Sequence, residues 1–375
     1  RALDGFVSQK TDFAYEVLIH DDCSTDRTAD IIREYAQKYP QLIKPIYQTE
    51  NKYSKRVDII REIMVPGESE TKNLDKERAT TEKADFLQRY LGYCLCGDTA
   101  AEAFLIMYGP TSRNGKSACV ETVQAILGDY AKSMTPESLM VAKFKDGRGP
   151  SENIARLNGV RMASISEIQQ GARLDASLVK QLTGGDKIPA RYLHENSFEF
   201  KPQCKLLMHT NHLPQCSDLS VFDSGRALVL TFGRHFEPWE QDKGLKAELR
   251  RPENQSGILN WLIHGFVEYR NRGLTPPESV RLATREYRKD SDKIARFMEE
   301  ALNQDILGEV RLTLLYSAYK IWCRDNGQYP ESSRGFKRSL EQAGVHIVKK
   351  RPAEGGENTT MVVGVSLLSE YAMIA

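Results

Sequence analysis

Apolar and polar positions divide the chain into stretches of different period. Between residues 14 and 49 two apolar runs, AYEVLIHDD and LIKPIYQT, flank CSTDRTADIIREYAQKY, whose apolar positions recur at helical spacing. The pattern predicts strand, helix and strand, with Ser24 and Thr25 as candidate helix caps. Asp21 and Asp22 then fall at the carboxyl end of the first strand, where open α/β sheets place ligands. From 50 to 80 charge is high, Pro66-Gly67 interrupts the chain and no strand pattern survives. A linker with one short helix near 57–64 is expected there. Helical periodicity returns in ERATTEKADFLQRYLGYCLCGD, with Ala84, Leu87, Leu91 and Leu95 along one face, and that helix should pack under the following domain.

The next block holds the strongest pattern. An apolar run rich in β-formers, FLIMY, stops at Gly109; a loop ends in Asn114-Gly115-Lys116-Ser117, and the helix-like ACVETVQAILGDY follows. Strand, loop and helix in that order suit phosphate binding. Backbone N–H groups of a Gly-bearing turn, aimed by a helix N-terminus, cradle phosphate oxygens. Lys116 would add charge at the β and γ phosphates, and the Ser117 hydroxyl would ligate Mg²⁺. Five residues separate Gly109 from Gly115, where the usual phosphate loop has four. The bland alternative is an exposed Gly/Asn turn before an ordinary helix.

Two further apolar strands end in polar residues. RLNGVRMASISEIQQ ends its strand at Glu167, and 44 residues later CKLLMHTN ends at Asn211. A nucleotide hydrolase needs a carboxylate to polarise the attacking water or hold it on the metal, and an amide there can bond both γ phosphate and water. A surface glutamate and a turn-capping asparagine before Pro214 are the alternatives. GILNWLIHGFVEYRNRGL reads as an amphipathic helix closing this domain, with Trp261, Ile263 and Phe266 in its core.

The last hundred residues read as helices, RLATREYRKDSDKIARFMEEAL, RLTLLYSAYKIWCRDNG and SSRGFKRSLEQAG, then a hairpin of VHIVKKRP with TTMVVGVSL around EGGEN. Helices followed by a two-stranded wing predict a winged helix-turn-helix. Between 335 and 351 stand Lys337, Arg338, Lys349, Lys350 and Arg351 against one acid, Glu341. On a recognition helix and a wing they would contact duplex phosphates; a solvated helix face is the alternative.

Composition narrows the classes. With 375 residues, 40% hydrophobic, 27% charged and a formal charge of +1, the chain is an ordinary globular protein of two or three domains, and nucleic-acid contact must come from local basic faces. Its seven cysteines, 23, 94, 96, 119, 204, 216 and 323, are scattered without CxxC spacing, which predicts reduced thiols and no zinc site. No apolar run approaches the roughly 18 residues of a membrane span and no signal pattern opens the chain, so a cytoplasmic location and no membrane partner are expected. A first residue of Arg1 suggests a fragment.

Two resemblances overlay these readings. VSQKTDFAYEVLIHDDCSTDRTADIIREYAQKYP resembles the start of a family-two glycosyltransferase, whose DDCSTDxT segment contacts a nucleotide-sugar; that resemblance would make Asp22 the uridine contact. About 50 residues match, and no later DxD-type metal motif appears. Further on, GPTSRNGKS, ASISEIQQG, VKQLTGGDKIPARYLHENSFEFKP, LLMHTNHLP and SGRALVLTF occur in the order of superfamily 3 helicases, most like the helicase half of phage- and plasmid-type primase/helicases related to the poxvirus-type enzyme. The resemblance implies an α/β fold with a P-loop, AAA+-like ATPase core and, as cofactors, ATP and Mg²⁺. It makes Lys116 and Ser117 the Walker A pair, Glu167 the Walker B acid and metal-side carboxylate, Asn211 sensor 1 and Arg226 an arginine finger reaching a neighbouring subunit of a homo-hexamer. Ser166 stands where the family often has a second acid, so the metal would rely on Ser117, phosphates and water. IPARYLHENSFEF would be the hairpin that grips single-stranded DNA in the ring channel. His194 is the candidate contact at a nearly neutral tip, flanked by Lys180 and Arg191, for which a phosphate contact or an ion pair with Asp186 or Glu199 is open.

Taken together the expected domains are a glycosyltransferase-like βαβ piece (1–55), a linker and helix (56–98), a P-loop ATPase (99–270) and a winged-helix domain (271–375). The expected activity is ATP-driven translocation on DNA in phage or plasmid replication. A nucleotide-sugar glycosyltransferase fragment and a winged-helix DNA-binding protein are the rivals, and no acidic catalytic domain of a primase precedes the helicase part.

Overall fold

A computed structural model of the protein describes residues 17–21, 27–47, 60, 62–65, 76–141, 152–351 and 357–372. Asp22, the expected caps Ser24 and Thr25, most of the linker and most of the EGGEN turn lie outside the described residues. The chain folds as two compact units, residues 1–284 and 285–375.

In the first unit β1 (Val17–Asp21) and β2 (Ile43–Tyr47) pair in parallel, joined through helix α1 (Thr28–Lys38). Helix α2 (Lys76–Tyr93) precedes β3 (Phe104–Tyr108), which leads into α3 (Lys116–Leu127). Then come β4 (Ala131–Met134), β5 (Met162–Ser166), α4 (Ala176–Gly184), the short β6 (Ile188–Ala190) and β7 (Phe198–Phe200), β8 (Lys205–Thr210) and β9 (Ala227–Thr231). Five of these strands form one sheet in the order β4-β5-β8-β3-β9, every neighbouring pair parallel. The molecule is therefore mixed α/β around a parallel central sheet. β3, β5 and β8 each bury four successive side chains, as strands covered on both faces must, which is why they read as unbroken apolar runs.

α2 packs where its apolar face predicted. Phe86, Leu87, Tyr90 and Leu91 share one core with Leu105 and Met107 of β3 and Leu228 and Leu230 of β9. On its other side α2 meets α5 (Pro252–Arg272). A Cβ built at Gly92 would lie 2.3 Å from Phe266 N, and one at Gly265 would lie 2.1 Å from Gln88 O, so the two backbones touch. Trp261 is buried and Phe266 packs on the same core, but Ile263 is 45% exposed, correcting its expected place in the core. It sits off the face that Leu262, Phe266 and Tyr269 turn inward.

The second unit departs from the expected pattern in two places. The stretch expected as one helix from Arg281 to Leu302 breaks at Asp292 into α6 (Glu278–Ser291) and α7 (Lys293–Ala301), because the Asp292 carboxylate accepts from Ala295 N at 3.0 Å and caps a new helix. NQDILGEV, left unassigned by its pattern, belongs to strand β10 (Leu302–Arg311). After α8 (Leu312–Asp325) and α9 (Ser333–Gln342), β11 (His346–Lys350) and β12 (Thr359–Leu367) complete an antiparallel sheet in the order β10-β12-β11. The hairpin expected as a wing is thus part of a three-stranded sheet. Phe297 meets Tyr319, Trp322 and Phe336 edge-on at 5.2, 5.8 and 5.9 Å in its core.

Candidate functional site

Because the strands are parallel, their last residues leave the sheet on one edge. Tyr108 pairs with Thr210 and Ser166 with His209, so the chain exits at Gly109, Glu167 and Asn211 side by side. This is where the fold class binds ligands. Gly109 accepts no side chain: a Cβ there would lie 2.2 Å from Asn114 Nδ2 and 2.7 Å from Lys116 Nζ. Asn114, buried, ties the loop by donating to Thr111 O at 2.6 Å. Gly115, at φ 83°, makes the left-handed turn into α3 that an L side chain resists.

Lys116 opens α3 and is 5% exposed. Its ammonium donates to Gly109 O at 3.2 Å and to Asn211 Oδ1 at 2.9 Å. Both partners are neutral, and burial lowers its pKa to about 8. A buried cation beside a helix N-terminus, bonded among the described residues to neutral oxygens alone, has the chemistry to take an anion. His209, on the last turn of β8 before Asn211, is pushed down to about 4 by burial and then by the Lys116 charge, so it is neutral at physiological pH. Thr210 fixes the exit of β8: its Oγ1 donates to His212 O at 2.8 Å and accepts from His212 N at 3.1 Å.

Glu167 is exposed and follows β5 with φ 57°. A non-glycine residue in that region is uncommon, and such strain concentrates at functional positions. Ser117 is exposed at the start of α3. The structure therefore brings Lys116, Ser117, Glu167 and Asn211 to one edge, with the Lys116–Asn211 contact direct. Among the described residues no group of three or more His, Cys, Asp or Glu could hold a metal ion. Ser117 and Glu167 suit a divalent cation that arrives with a polyphosphate, since hard cations of that kind keep few protein oxygens and fill the rest with phosphate and water.

Sequence reasoning missed the brace around the loop. After β9 the segment Phe232–Gln241 lies against the loop: Phe236 N donates to Arg113 O at 2.9 Å, and His235 Nδ1 lies 2.9 Å from Ser112 O. A carbonyl only accepts, so Nδ1 carries the proton. Arg113, itself at φ 56°, bonds Gln241. From the other side Ile63 packs where a Gly115 Cβ would stand, and Arg234 ties Glu62 and Glu240 at 3.0 Å each. The hydrophobic spacing of the linker helix gave a signal for Ile63, but the polar latches on Ser112, Arg113 and Glu62 join residues more than a hundred apart and left none.

Arg226 is not with the others. It precedes β9, its carbonyl accepting from Phe104 N at 2.7 Å, and so lies at the amino end of the sheet. Five residues of strand put it about 16 Å from the carboxyl edge. Its guanidinium bonds Glu102 at 2.5 Å and Thr183 at 2.9 Å. The expected hairpin forms from β6 and β7, with Tyr192 stacked on Phe198 and His194 exposed at its tip at φ 64°. Lys180 pairs with Asp218 at 2.7 Å, a different partner from Asp186 or Glu199, because the turn after β8 brings Asp218 to α4.

In the second unit Lys337 lies 3.7 Å from Glu341, and Lys350 pairs with Glu309 of β10. The count of five bases against one acid between 335 and 351 holds, but the unexpected third strand brings an acid from outside that stretch, Glu309, to Lys350. Arg338, Lys349 and Arg351 are exposed.

Comparisons with known proteins agree in part with these readings. Residues 289–371 match the family model for poxvirus D5 protein-like domains, residues 107–226 match a family of unknown function (DUF5906), and residues 1–60 match glycosyl transferase family 2. A protein of Acanthamoeba polyphaga mimivirus, provisionally named a helicase, is 27% identical over 259 residues, 64% of this chain and 27% of that protein. A similarly named protein of Frog virus 3 is 27% identical over 241 residues, 60% of this chain and 25% of its own length. The chain thus spans about a quarter of these relatives. The apo structure of the NrS-1 C-terminal region superposes at a TM-score of 0.41 with 11% identity, covering 90% of both chains. Among the described residues no helix is long and apolar enough to cross a membrane.

Proposed function

We propose that the chain is the motor part of a viral-type replication helicase, hydrolysing ATP with Mg²⁺ to move on DNA. The observation that carries it is Lys116, a buried ammonium whose partners among the described residues are neutral oxygens, at the end of a glycine-bearing turn before a helix. In this reading Lys116, Asn114 and the N–H groups of Gly115 to Ser117 hold the triphosphate, and Ser117 and Glu167 hold or face the metal. Bound Mg²⁺ supplies charge neutralisation at the phosphates. Glu167 orients the lytic water and Asn211, already bonded to Lys116, bridges water and γ phosphate. The similarity to viral proteins named as helicases supports the DNA-replication setting.

Arg226 faces away from its own nucleotide edge, which fits a role on the triphosphate of the next subunit in a homo-hexameric ring. His194 would face single-stranded DNA in the channel. The second unit has the helix, strand, helix, helix, strand, strand order of a winged helix, with Arg338, Lys349 and Arg351 as the basic groups for duplex phosphates and Lys337 and Lys350 as weaker contributors, since each is shared with a carboxylate.

ATP turnover by the full chain, with and without single-stranded DNA, tests the reading. Lys116→Ala should lose turnover, DNA should stimulate the native chain, and an equal mixture of Lys116→Ala and Arg226→Ala subunits should regain part of it. Full turnover by Lys116→Ala would remove the phosphate-loop assignment; a mixture as inactive as its parts would remove the shared site.

A further inference from the structure

The LTGGD segment at 182–186 and the residues ahead of β3 have no part in the site described above, yet they converge on Arg226. The Arg226 side chain is 15% exposed, and its guanidinium is held from two sides. Nη2 lies 2.5 Å from Glu102 Oε2, and Nη1 donates to Thr183 Oγ1 at 2.9 Å. Thr183 is 2% exposed and its hydroxyl donates to Val179 O at 2.7 Å, which leaves its lone pairs for the arginine. Glu102 differs: its side chain is 46% exposed, and its backbone stands at φ 46°, a conformation that an ordinary glutamate avoids. One partner is buried and fixed, and the other is solvent-facing and carries the charge.

We propose that Glu102 is a placeholder anion for Arg226 and Thr183 its aiming partner, an inference that rests on the motor reading and on Arg226 acting across subunits. With no triphosphate on the neighbouring copy, the carboxylate neutralises the guanidinium. When a triphosphate binds there, its γ-phosphate oxygens replace Glu102, while the hydrogen bond to Thr183 persists and keeps the planar fork pointed. The exchange trades one anion for another, so each round of nucleotide binding competes with an ion pair whose carboxylate side faces solvent. Pairs of that kind hold about 0.2–1 kcal/mol, which sets the competition at about 1.4- to fivefold.

Steady-state ATPase of the assembled full chain distinguishes the parts. Glu102→Gln keeps the shape and removes the charge, so KM for ATP should fall about 1.4- to fivefold with kcat unchanged; Glu102→Asp, which shortens the reach, should move KM the same way and stands in should the glutamine variant not fold. Thr183→Val should lower kcat about tenfold at constant KM, and Thr183→Ser should restore it. An unchanged or higher KM in both Glu102 variants, or a kcat loss in them equal to that of Arg226→Ala, would overturn the placeholder. Turnover that depends on Lys116 and Arg226 but ignores Glu102 and Thr183 would refute this clamp alone, whereas turnover indifferent to Lys116 would refute the motor reading beneath it.

Discussion

Two lysines are buried at opposite ends of the same sheet, and their surroundings differ in kind. Lys205, at the start of β8, is 2% exposed; it bonds the carbonyls of Cys96, Asp98 and Gln203 and sits 4.6 Å from the centre of the Tyr93 ring. All three ammonium protons have acceptors, and the aromatic face takes part of the remaining charge. Lys116, at the carboxyl edge, has two neutral acceptors and an edge lined by exposed Ser117, Glu167 and Asn211. Burial lowers the pKa of both. A fully coordinated buried cation needs no further partner; one with two acceptors at a parallel-sheet edge keeps a proton free for the phosphate that the proposed function assigns to it.

The contrast can be broken most directly by exchanging the two losses. Lys116→Ala should cut ATP turnover by about a hundredfold or more while leaving the melting temperature within a few degrees, since its removal strands no carboxylate. Lys205→Met should do the reverse, lowering unfolding free energy by about 2–4 kcal/mol as three buried carbonyls lose their donor, with turnover per folded molecule retained. Chemical denaturation beside an ATPase assay reads both, and equal stability losses in the two variants would erase the distinction.

Asn211→Ala removes the amide that Lys116 already touches, and kcat should fall about ten- to a hundredfold with the fold intact by circular dichroism. A smaller effect concerns pH. The Lys116 pKa is about 8 in the folded protein against an ordinary 10.5, so between those values the unfolded chain holds a proton that the folded one has released. Stability should therefore rise with pH across about 8 to 10.5, and the rise attributable to this group should vanish in Lys116→Met. Nucleotide binding should shift the other way: an anion favours the ammonium, so affinity should weaken above pH 8 and binding should take up a proton, measurable by calorimetry in buffers of different ionisation enthalpy. The smallest effect is in the second unit, where Arg338→Ala should weaken duplex binding and reduce its salt slope by about one, and Lys350→Ala, already paired with Glu309, should change it less.

What was legible in the sequence follows from how local each signal is. FLIMY, MASIS and KLLMHT announce β3, β5 and β8 because strands buried on both faces must be apolar throughout, and Gly109, Glu167 and Asn211, where the runs stop, mark the carboxyl edge of the sheet. β4, with the sequence AKSM, is half polar and short, and gave no such signal. β10 was hidden by its bulge: the register shifts between Gln304 and Glu309, Ile306 and Leu307 turn outward at 93% and 90% exposure, and alternation is lost. The helix break at Asp292 was local and readable in principle, since an aspartate three residues ahead of its N–H partner is a capping pattern. The strand order, the separation of Arg226 from the carboxyl edge and the latches on Ser112 and Arg113 depend on tertiary pairings that no window of sequence contains.

The touching backbones at Gly92 and Gly265 have a mechanical consequence. With no side chain between them, α2 and α5 have no cushion that could deform, and one methyl at either place would prise the crossing open. The pair acts as a rivet, so a push delivered to one helix is passed undamped to the other, and the floor beneath the sheet stays level.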